Sequence, residues 1–359
     1  MGVDTQARPG GSPHVPVQAL RATFMAPDAP EWMAILRDSP HDCYHLPRYV
    51  TLCARLDRGV ACALRVTDGH RTLLLPFVRR PVSGGRFDLA SPYGYPGPVG
   101  TGTDDDAFLM DALAAGRRAM HDAGAVSAFV RLHPLLNRSP MDGIGSLVRH
   151  GDTVAVDLTL PADLAWSRMR LNHRRDITRA KALGYVARID ADWAALGEFE
   201  RLYGLTMTRR AAAPEYFFDH GYFRELHRAL GERLQLCVVE REGIVAAAGL
   251  FVETAGIVQY HLGGWDDEHR EAQPMKLMID FVRRWARERG DVTLHLGGGL
   301  GARNDLLFHF KAGFSPDRHP FRTLRLVVDG DAYRRLVLAR DPLADPSDLL
   351  GFFPAYRQP

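Results

Sequence analysis

A strand-like run ending at His295 passes into Leu296-Gly297-Gly298-Gly299-Leu300-Gly301, and a short apolar stretch then closes on Phe310-Lys311. Glycines let a backbone approach a ligand closely and turn its N–H groups toward an anion. The segment is not a nucleotide phosphate loop, because no Gly-Lys-Ser/Thr follows and the spacing is not GxGxxG. Taken alone, the glycines simply turn the chain and Lys311 is a solvated cation at a helix end, the usual reading for a single lysine there. His261, in Gln259-Tyr260-His261-Leu262-Gly263-Gly264, is a second candidate. An imidazole titrates near neutral pH and suits a general base, although a hydrogen-bonded core histidine fits the same strand. The third candidate is a cationic run of Arg168, Arg170, Arg174, Arg175, Arg179, Lys181 and Arg188, opposed between residues 168 and 188 only by Asp176. Such runs are usually solvated faces; in a nearly neutral chain a concentrated cationic helix also suits phosphates. It has no interleaved aromatics, so bases are not expected to stack on it. His41-Asp42-Cys43-Tyr44-His45 spaces potential ligands at i, i+2 and i+4, but no second cluster follows at zinc spacing. It reads as structural, and no metal is expected. No GxSxG nucleophile motif is present.

The elements that must position these groups are legible from periodicity and turn residues. Short helices are expected from Glu31 and after Pro47. Strands follow at 60–66 and 72–78, joined by a turn containing Asp68-Gly69, and a third ends near Ser91. A helix over 105–122 and strands over 126–132 and 154–160 complete the first half. In the second half, helices are expected at 166–183, 192–210 and 217–230, then strands at 234–240, 244–252 and 257–262 with tight turns between them. A helix from Pro274 to Arg289, with proline in its first turn, precedes a strand at 292–296, a helix at about 304–311 and a last strand at 322–328.

Helix, helix, three antiparallel strands, helix, strand, helix, strand is the element order of the GNAT acyltransferase fold, and the first half follows the same order. The expected fold class is α+β: two tandem GNAT-like domains, each a mixed, mainly antiparallel sheet flanked by helices. Residues 1–20 are expected to be a mobile tail, 21–160 the first domain, 161–328 the second, and 329–359 a C-terminal helix and tail.

At 359 residues the chain is too long for one ordinary core. Its net charge of +2 excludes a strongly basic nucleic-acid binder, so any such footprint is local. The four cysteines show no CxxC spacing and read as buried thiols of a reducing compartment. There is no signal peptide and no apolar run of membrane-spanning length, so a cytoplasmic protein without membrane insertion is expected.

Residues 296–314 (LGGGLGARNDLLFHFKAGF) resemble the C-terminal signature of the Fem-type (FemXAB-like) aminoacyltransferases of the GNAT superfamily. Three further segments are similar to that family: 88–98 (DLASPYGYPGP) to its tyrosine-rich loop, 170–185 (RLNHRRDITRAKALGY) to its basic helix, and 202–210 (LYGLTMTRR) to the first helix of its second GNAT unit. The resemblance spans roughly 30–328. It implies transfer of an aminoacyl group from aminoacyl-tRNA to an amine, with no cofactor beyond the co-substrate and no covalent intermediate. The family's Phe-Lys pair falls on Phe310 and Lys311, and the resemblance makes the lysine the stabiliser of the oxyanion formed when the amine attacks the ester. It places acceptor contacts on or near Arg209, Arg210, Tyr216 and Tyr260, with Tyr93 and Tyr95 from the first half. Trp265, Gly297, Gly298 and Gly299 would line the cleft, and Arg170, Arg174, Arg175, Arg179 and Lys181 would face tRNA phosphates. The acceptor is a cell-wall precursor or a small antibiotic-type scaffold; no apolar heptad run supplies the coiled-coil arm common in cell-wall members, which favours the small molecule. The alternative is an N-acyltransferase using an acyl-CoA. Acetyl-CoA users carry Arg/Gln-x-x-Gly-x-Gly/Ala before the helix that receives the diphosphate. The matching stretch here, 266–276 (DDEHREAQPMK), has no glycine and several acids, offset in part by Arg270 and Lys276.

Overall fold

The computed structural model describes residues 19–141 and 143–358. The expected mobile tail lies, up to residue 18, outside the described residues. The first half holds β1 (Arg21–Met25), α1 (Pro30–Arg37), α2 (Pro47–Leu56), β2 (Val60–Thr67), β3 (Thr72–Pro81), β4 (Phe87–Ala90), α3 (Asp106–Asp122), β5 (Ala125–Arg131) and β6 (Ser146–Asp157). There follow α4 (Ala162–Ser167), α5 (Leu171–Ala182), β7 (Val186–Ile189), α6 (Leu196–Arg209), α7 (His220–Leu230), β8 (Leu234–Arg241), β9 (Ile244–Thr254) and β10 (Ile257–Trp265). The chain ends with α8 (Pro274–Glu288), β11 (Thr293–Gly297), α9 (Leu306–Lys311), β12 (Arg318–Val327) and α10 (Gly330–Arg340).

All twelve strands form one sheet in the order β1-β2-β3-β4-β5-β12-β6-β11-β10-β9-β8-β7. Every neighbouring pair is antiparallel except β4–β5 and β10–β11. Read from either edge inward, the sheet therefore repeats: four antiparallel strands, one parallel neighbour, then a last strand. The last strands are exchanged, because β12 from the end of the chain pairs with β5 while β6 pairs with β11. The expected GNAT element order is present in both halves, and the exchange joins them into one sheet. The central strands are buried on both faces, as in the Val/Ala-rich run of β9.

Four differences from the expected elements have local causes. Strands β1 and β7 sit at the two edges of the sheet and were not expected; five and four residues long, they carry too little alternation to read. Helix 166–183 is broken at Arg168–Arg170. There Met169 is buried and the Arg170 N–H leaves the helix to donate to the Gly313 carbonyl at 2.9 Å. Helix α6 begins at Leu196 rather than Asp192, since Trp193 has φ +57° and Asp190 accepts a bond from the Ala195 N–H at 2.8 Å. Strands β6 and β12 each begin several residues earlier than expected, because each pairs with the other over most of its length.

Candidate active site

Strands β10 and β11 are hydrogen-bonded only over Ile257–Gln259 and Thr293–His295. Beyond that point they part. A bulge places His261 as an extra residue in β10, and another interrupts β11 before Gly297, so each strand bends away from the other. The result is a V-shaped opening whose sides are Tyr260–Trp265 and Leu296–Gly299.

Lys311 lies in this opening. Helix α9 is aimed there by Asp305, whose carboxylate caps it by accepting from the Phe308 N–H at 2.8 Å and also holds the Leu300 N–H of the glycine loop at 2.9 Å. Lys311 is 8% exposed, and its Nζ donates to the Gly298 carbonyl at 2.7 Å. The Tyr260 ring lies 5.7 Å from the ammonium. Burial depresses the Lys311 pKa to about 7, against the pull of Asp305 and with help from Arg210. Gly297 has φ +72°, and a Cβ built on it would lie 3.4 Å from Lys311 Nζ and 3.5 Å from the Tyr95 hydroxyl. Lys311 and Tyr95 thus flank one small space above the glycine loop, where the buried cation is partly desolvated.

His261 faces the first half. Its ring centroid is 6.4 Å from Tyr49 and 6.3 Å from Tyr93, and its Nε2 is buried with no hydrogen-bond partner. Burial lowers its pKa to about 4, so the ring is neutral.

A buried polar chain that the sequence reading missed runs beneath these groups. Asp42 accepts from His133 Nε2 at 2.9 Å, from the Gln259 amide and from the Cys43 N–H. Gln259 Oε1 in turn meets His295 Nδ1 at 2.8 Å, and His295 Nε2 meets the Thr153 hydroxyl at 2.9 Å. The network assigns the protons. His133 Nδ1 faces the Leu135 and Leu136 N–H groups, so its proton sits on Nε2. His295 donates from Nδ1 to Gln259 and accepts from Thr153. Burial alone would raise the Asp42 carboxyl, but His133 and the other donors outweigh it and hold its pKa low. Burial, with His133 nearby, keeps His295 far below the ordinary imidazole value. Asp42 and His133 belong to the first half, Gln259 and His295 to the second, and Tyr95 packs edge-on against both histidines. Asp42 lies in the cluster read as structural from its spacing, and nothing in that spacing pointed to Gln259.

Residues 167–311 match the acetyltransferase (GNAT) domain family model. A solved structure of FemX superposes with a TM-score of 0.68 at 13% identity, over 88% of this chain and 99% of that one. The chain has a Fem-type GNAT fold. The C-terminal domain (DUF2156) of a putative lysylphosphatidylglycerol synthetase from Agrobacterium fabrum aligns with a TM-score of 0.47 at 17% identity, over 76% of this chain and 88% of that chain. A tandem GNAT protein from the clavulanic acid biosynthesis pathway gives 0.44 at 12% identity, over 87% of this chain and 99% of that chain. No curated protein matches the sequence.

Within this Fem-type fold the named residues separate into two groups. Lys311, Tyr95, Tyr260, Gly297, Gly298 and Gly299 converge on the opening, and Arg210 is near enough to influence Lys311, Asp305 and Tyr260. Gly299 is needed for close approach, since a Cβ there would lie 2.1 Å from the Arg303 carbonyl oxygen. Phe310 offers its backbone: its carbonyl accepts from His173 Nε2 at 2.8 Å, which ties α5 to the lysine helix. Tyr93 of the first half and Tyr216 of the second are both exposed, and Tyr216 is near enough to influence Tyr93. Arg209 is engaged at the end of β10, ion-paired to Asp267 at 2.8 Å and stacked on Trp265 at 4.2 Å.

The basic helix is less free than its charge count implies. Lys181 pairs with Asp280 at 3.2 Å, Arg179 with Asp176 at 3.6 Å, and Arg170 donates to the His309 carbonyl at 3.2 Å. Arg174 and Arg175 make no ion pair to a described residue, and Arg175 is exposed. The four cysteines are free. Among the described residues no group of His, Cys, Asp or Glu is placed to hold a metal, and no helix is long and apolar enough to cross a membrane.

Proposed function

We propose that this GNAT-type acyltransferase moves an aminoacyl group from aminoacyl-tRNA onto the amine of a small antibiotic-type or cell-wall precursor acceptor, forming an amide. The observation that carries the reading is Lys311: a buried cation at the parting of β10 and β11, opposite the Tyr95 hydroxyl. The acceptor nitrogen attacks the ester carbonyl carbon, and negative charge gathers on the carbonyl oxygen between Lys311 and Tyr95. As the C–N bond forms and the C–O bond to the tRNA ribose breaks, the ribose oxygen leaves and takes up a proton. The proton lost by the attacking amine passes to His261, whose Nε2 has no partner, or directly to the tRNA hydroxyl. A fixed cation aimed at developing charge is worth about 3–4 kcal/mol in such a step. The second half serves as donor side and the first as acceptor side.

The acyl-CoA alternative is disfavoured at the start of α8. No glycine stands between Asp266 and Lys276. The acids of the preceding turn are tied to α6, Asp266 to Arg201 at 2.9 Å and Asp267 to Arg209 at 2.8 Å. The test offers purified protein labelled aminoacyl-tRNAs and, separately, labelled acyl-CoAs, with a cell extract as acceptor source. Label passing from tRNA to a small product, abolished by RNase and by Lys311→Ala, supports the reading. RNase-insensitive transfer from an acyl-CoA overturns it.

A further inference from the structure

Behind Tyr93, on the side of the sheet away from α3, a cavity of about 400 Å³ lies between the sheet and the C-terminal segment after α10. Its floor is formed by Phe129 and Arg131 of β5 and Arg325 of β12, which is paired opposite Phe129. Phe353 and Arg357 cover it from the tail, and Arg80 of β3 closes one end.

The charges in this cavity do not balance. Asp88, fully buried, accepts from Arg80 at 2.8 Å and from Arg357 at 2.5 Å, so one carboxylate serves two guanidiniums. Arg131 and Arg325 have no carboxylate partner among the described residues. Arg131 is left with the backbone carbonyls of Ser91 and Pro92 at 3.2 and 3.3 Å. Arg325 is 5% exposed; it donates to the carbonyls of Leu349 and Gly351, and its Nε is buried with no partner at all. Asp57 lines the rim without an ion pair. A buried guanidinium with an unused donor costs free energy until an acceptor arrives. Arg325 and the half-buried Arg131, beside the Phe129 and Phe353 rings, which lie 6.3 Å apart, make a pocket with a cationic end suited to an anion and an apolar wall.

We propose that this cavity binds the anionic end of the acceptor. On this assignment the acceptor is an amine that also carries a carboxylate or phosphate, held by Arg131 and Arg325, with its apolar body against Phe129 and Phe353. Tyr93 connects the two sites, because it lines the cavity while its ring faces His261 at 6.3 Å. The assignment rests on the transfer reading above, but its binding test needs no turnover.

The probes are phenylacetate, phenyl phosphate and the neutral phenylacetamide, titrated calorimetrically into the full chain. At least one anion is expected to bind and phenylacetamide not to. Affinity should fall at least tenfold in Arg325→Met and in Arg131→Met; the second variant leaves the bonds to the tail intact, and circular dichroism checks both folds. The stronger of phenylacetate and phenyl phosphate tells which anion the pocket takes. The bound anion is also expected to inhibit the transfer assay competitively with the acceptor. Equal binding of phenylacetamide, or undiminished binding in both variants, overturns the anion site. Binding without competition overturns its assignment to the acceptor. Absence of transfer from any donor sinks the transfer reading and leaves the calorimetry to judge the anion site by itself.

Discussion

The ammonium of Lys311 donates to the carbonyl of Gly298 at 2.7 Å, so the residue most suited to stabilise an oxyanion is steered by the loop that forms the floor of its own cleft. Glycine loop, cap and lysine act as one unit, because Asp305 binds both the Leu300 and Phe308 N–H groups.

Replacing Lys311 with alanine should lower kcat by about 10²–10³, the usual effect of removing one oxyanion donor, with a smaller change in KM. The pH profile carries a sharper test. With its pKa depressed to about 7, Lys311 is cationic below that value and loses its charge above it. As an electrostatic stabiliser it should give kcat/KM a falling limb near pH 7. Arg210 contributes to the depression, so Arg210→Ala should move that limb to higher pH. A limb that rises through pH 7 would assign Lys311 the role of base instead.

Gly297→Ala should damage activity beyond its cost in stability. Its φ of +72° strains any L side chain by about 1–2 kcal/mol, and the added methyl would sit between Lys311 Nζ and the Tyr95 hydroxyl. Gly290→Ala is the control: φ there is +91°, with nothing within 4 Å of the new Cβ. Comparable losses of thermal stability, with a loss of kcat only in the first, are expected. Equal activity in the two variants would remove the space above Gly297 from the mechanism.

Much of the fold could be read from the chain because it depends on local signals: the turns at Asp68-Gly69 and Glu242-Gly243, the proline opening α8 and the helical spacing in α6. The glycine loop and Lys311 were equally visible, since their chemistry is written in consecutive residues. What escaped was set by distant pairing. The exchange of β6 and β12 depends on strands more than 150 residues apart, and no periodicity encodes it. The chain from Asp42 through Gln259 to His295 unites residues separated by 217 and 36 positions. Each looks ordinary until the sheet brings them together. The basic helix shows the opposite error: its charges were counted correctly, but their partners Asp280 and the carbonyl of His309 come from other elements.

That pairing divides the basic helix into residues free to meet phosphate and residues already engaged. Arg175→Ala should weaken tRNA binding and reduce the slope of log K against log salt by about 1, as loss of one phosphate contact does. Lys181→Ala, which breaks the bond to Asp280, should leave the slope closer to that of the parent protein and appear instead in stability. Filter binding across a salt series checks both. An unchanged slope in Arg175→Ala would move the tRNA footprint off this face.

Acid should unfold the protein early, and the buried histidines say where. Burial holds His45 at about 3, and His173 and His261 at about 4, against an unfolded value of about 6.5. Below pH 6.5 the unfolded chain therefore binds more protons than the folded one, and stability falls as pH falls through this window. At pH 5 each of these rings costs about 2 kcal/mol, and His295 acts in the same direction. Together they approach the whole stability of an ordinary domain. Asp42 works in the same sense but only at lower pH: its lowered carboxyl adds stability that is kept above the ordinary carboxylate value and lost as the pH falls through it. Lys311 extends the rise on the other side, since a lysine depressed to about 7 gains folded-state favour as pH climbs from 7 toward its unfolded value. The melting temperature is thus expected to climb steeply from pH 5 to about 6.5 and gently above it. His173→Gln should flatten the steep part by about one proton equivalent, while weakening the bond to Phe310 that positions the lysine helix. A melting temperature constant between pH 5 and 7 would show that these rings are charged in the folded protein.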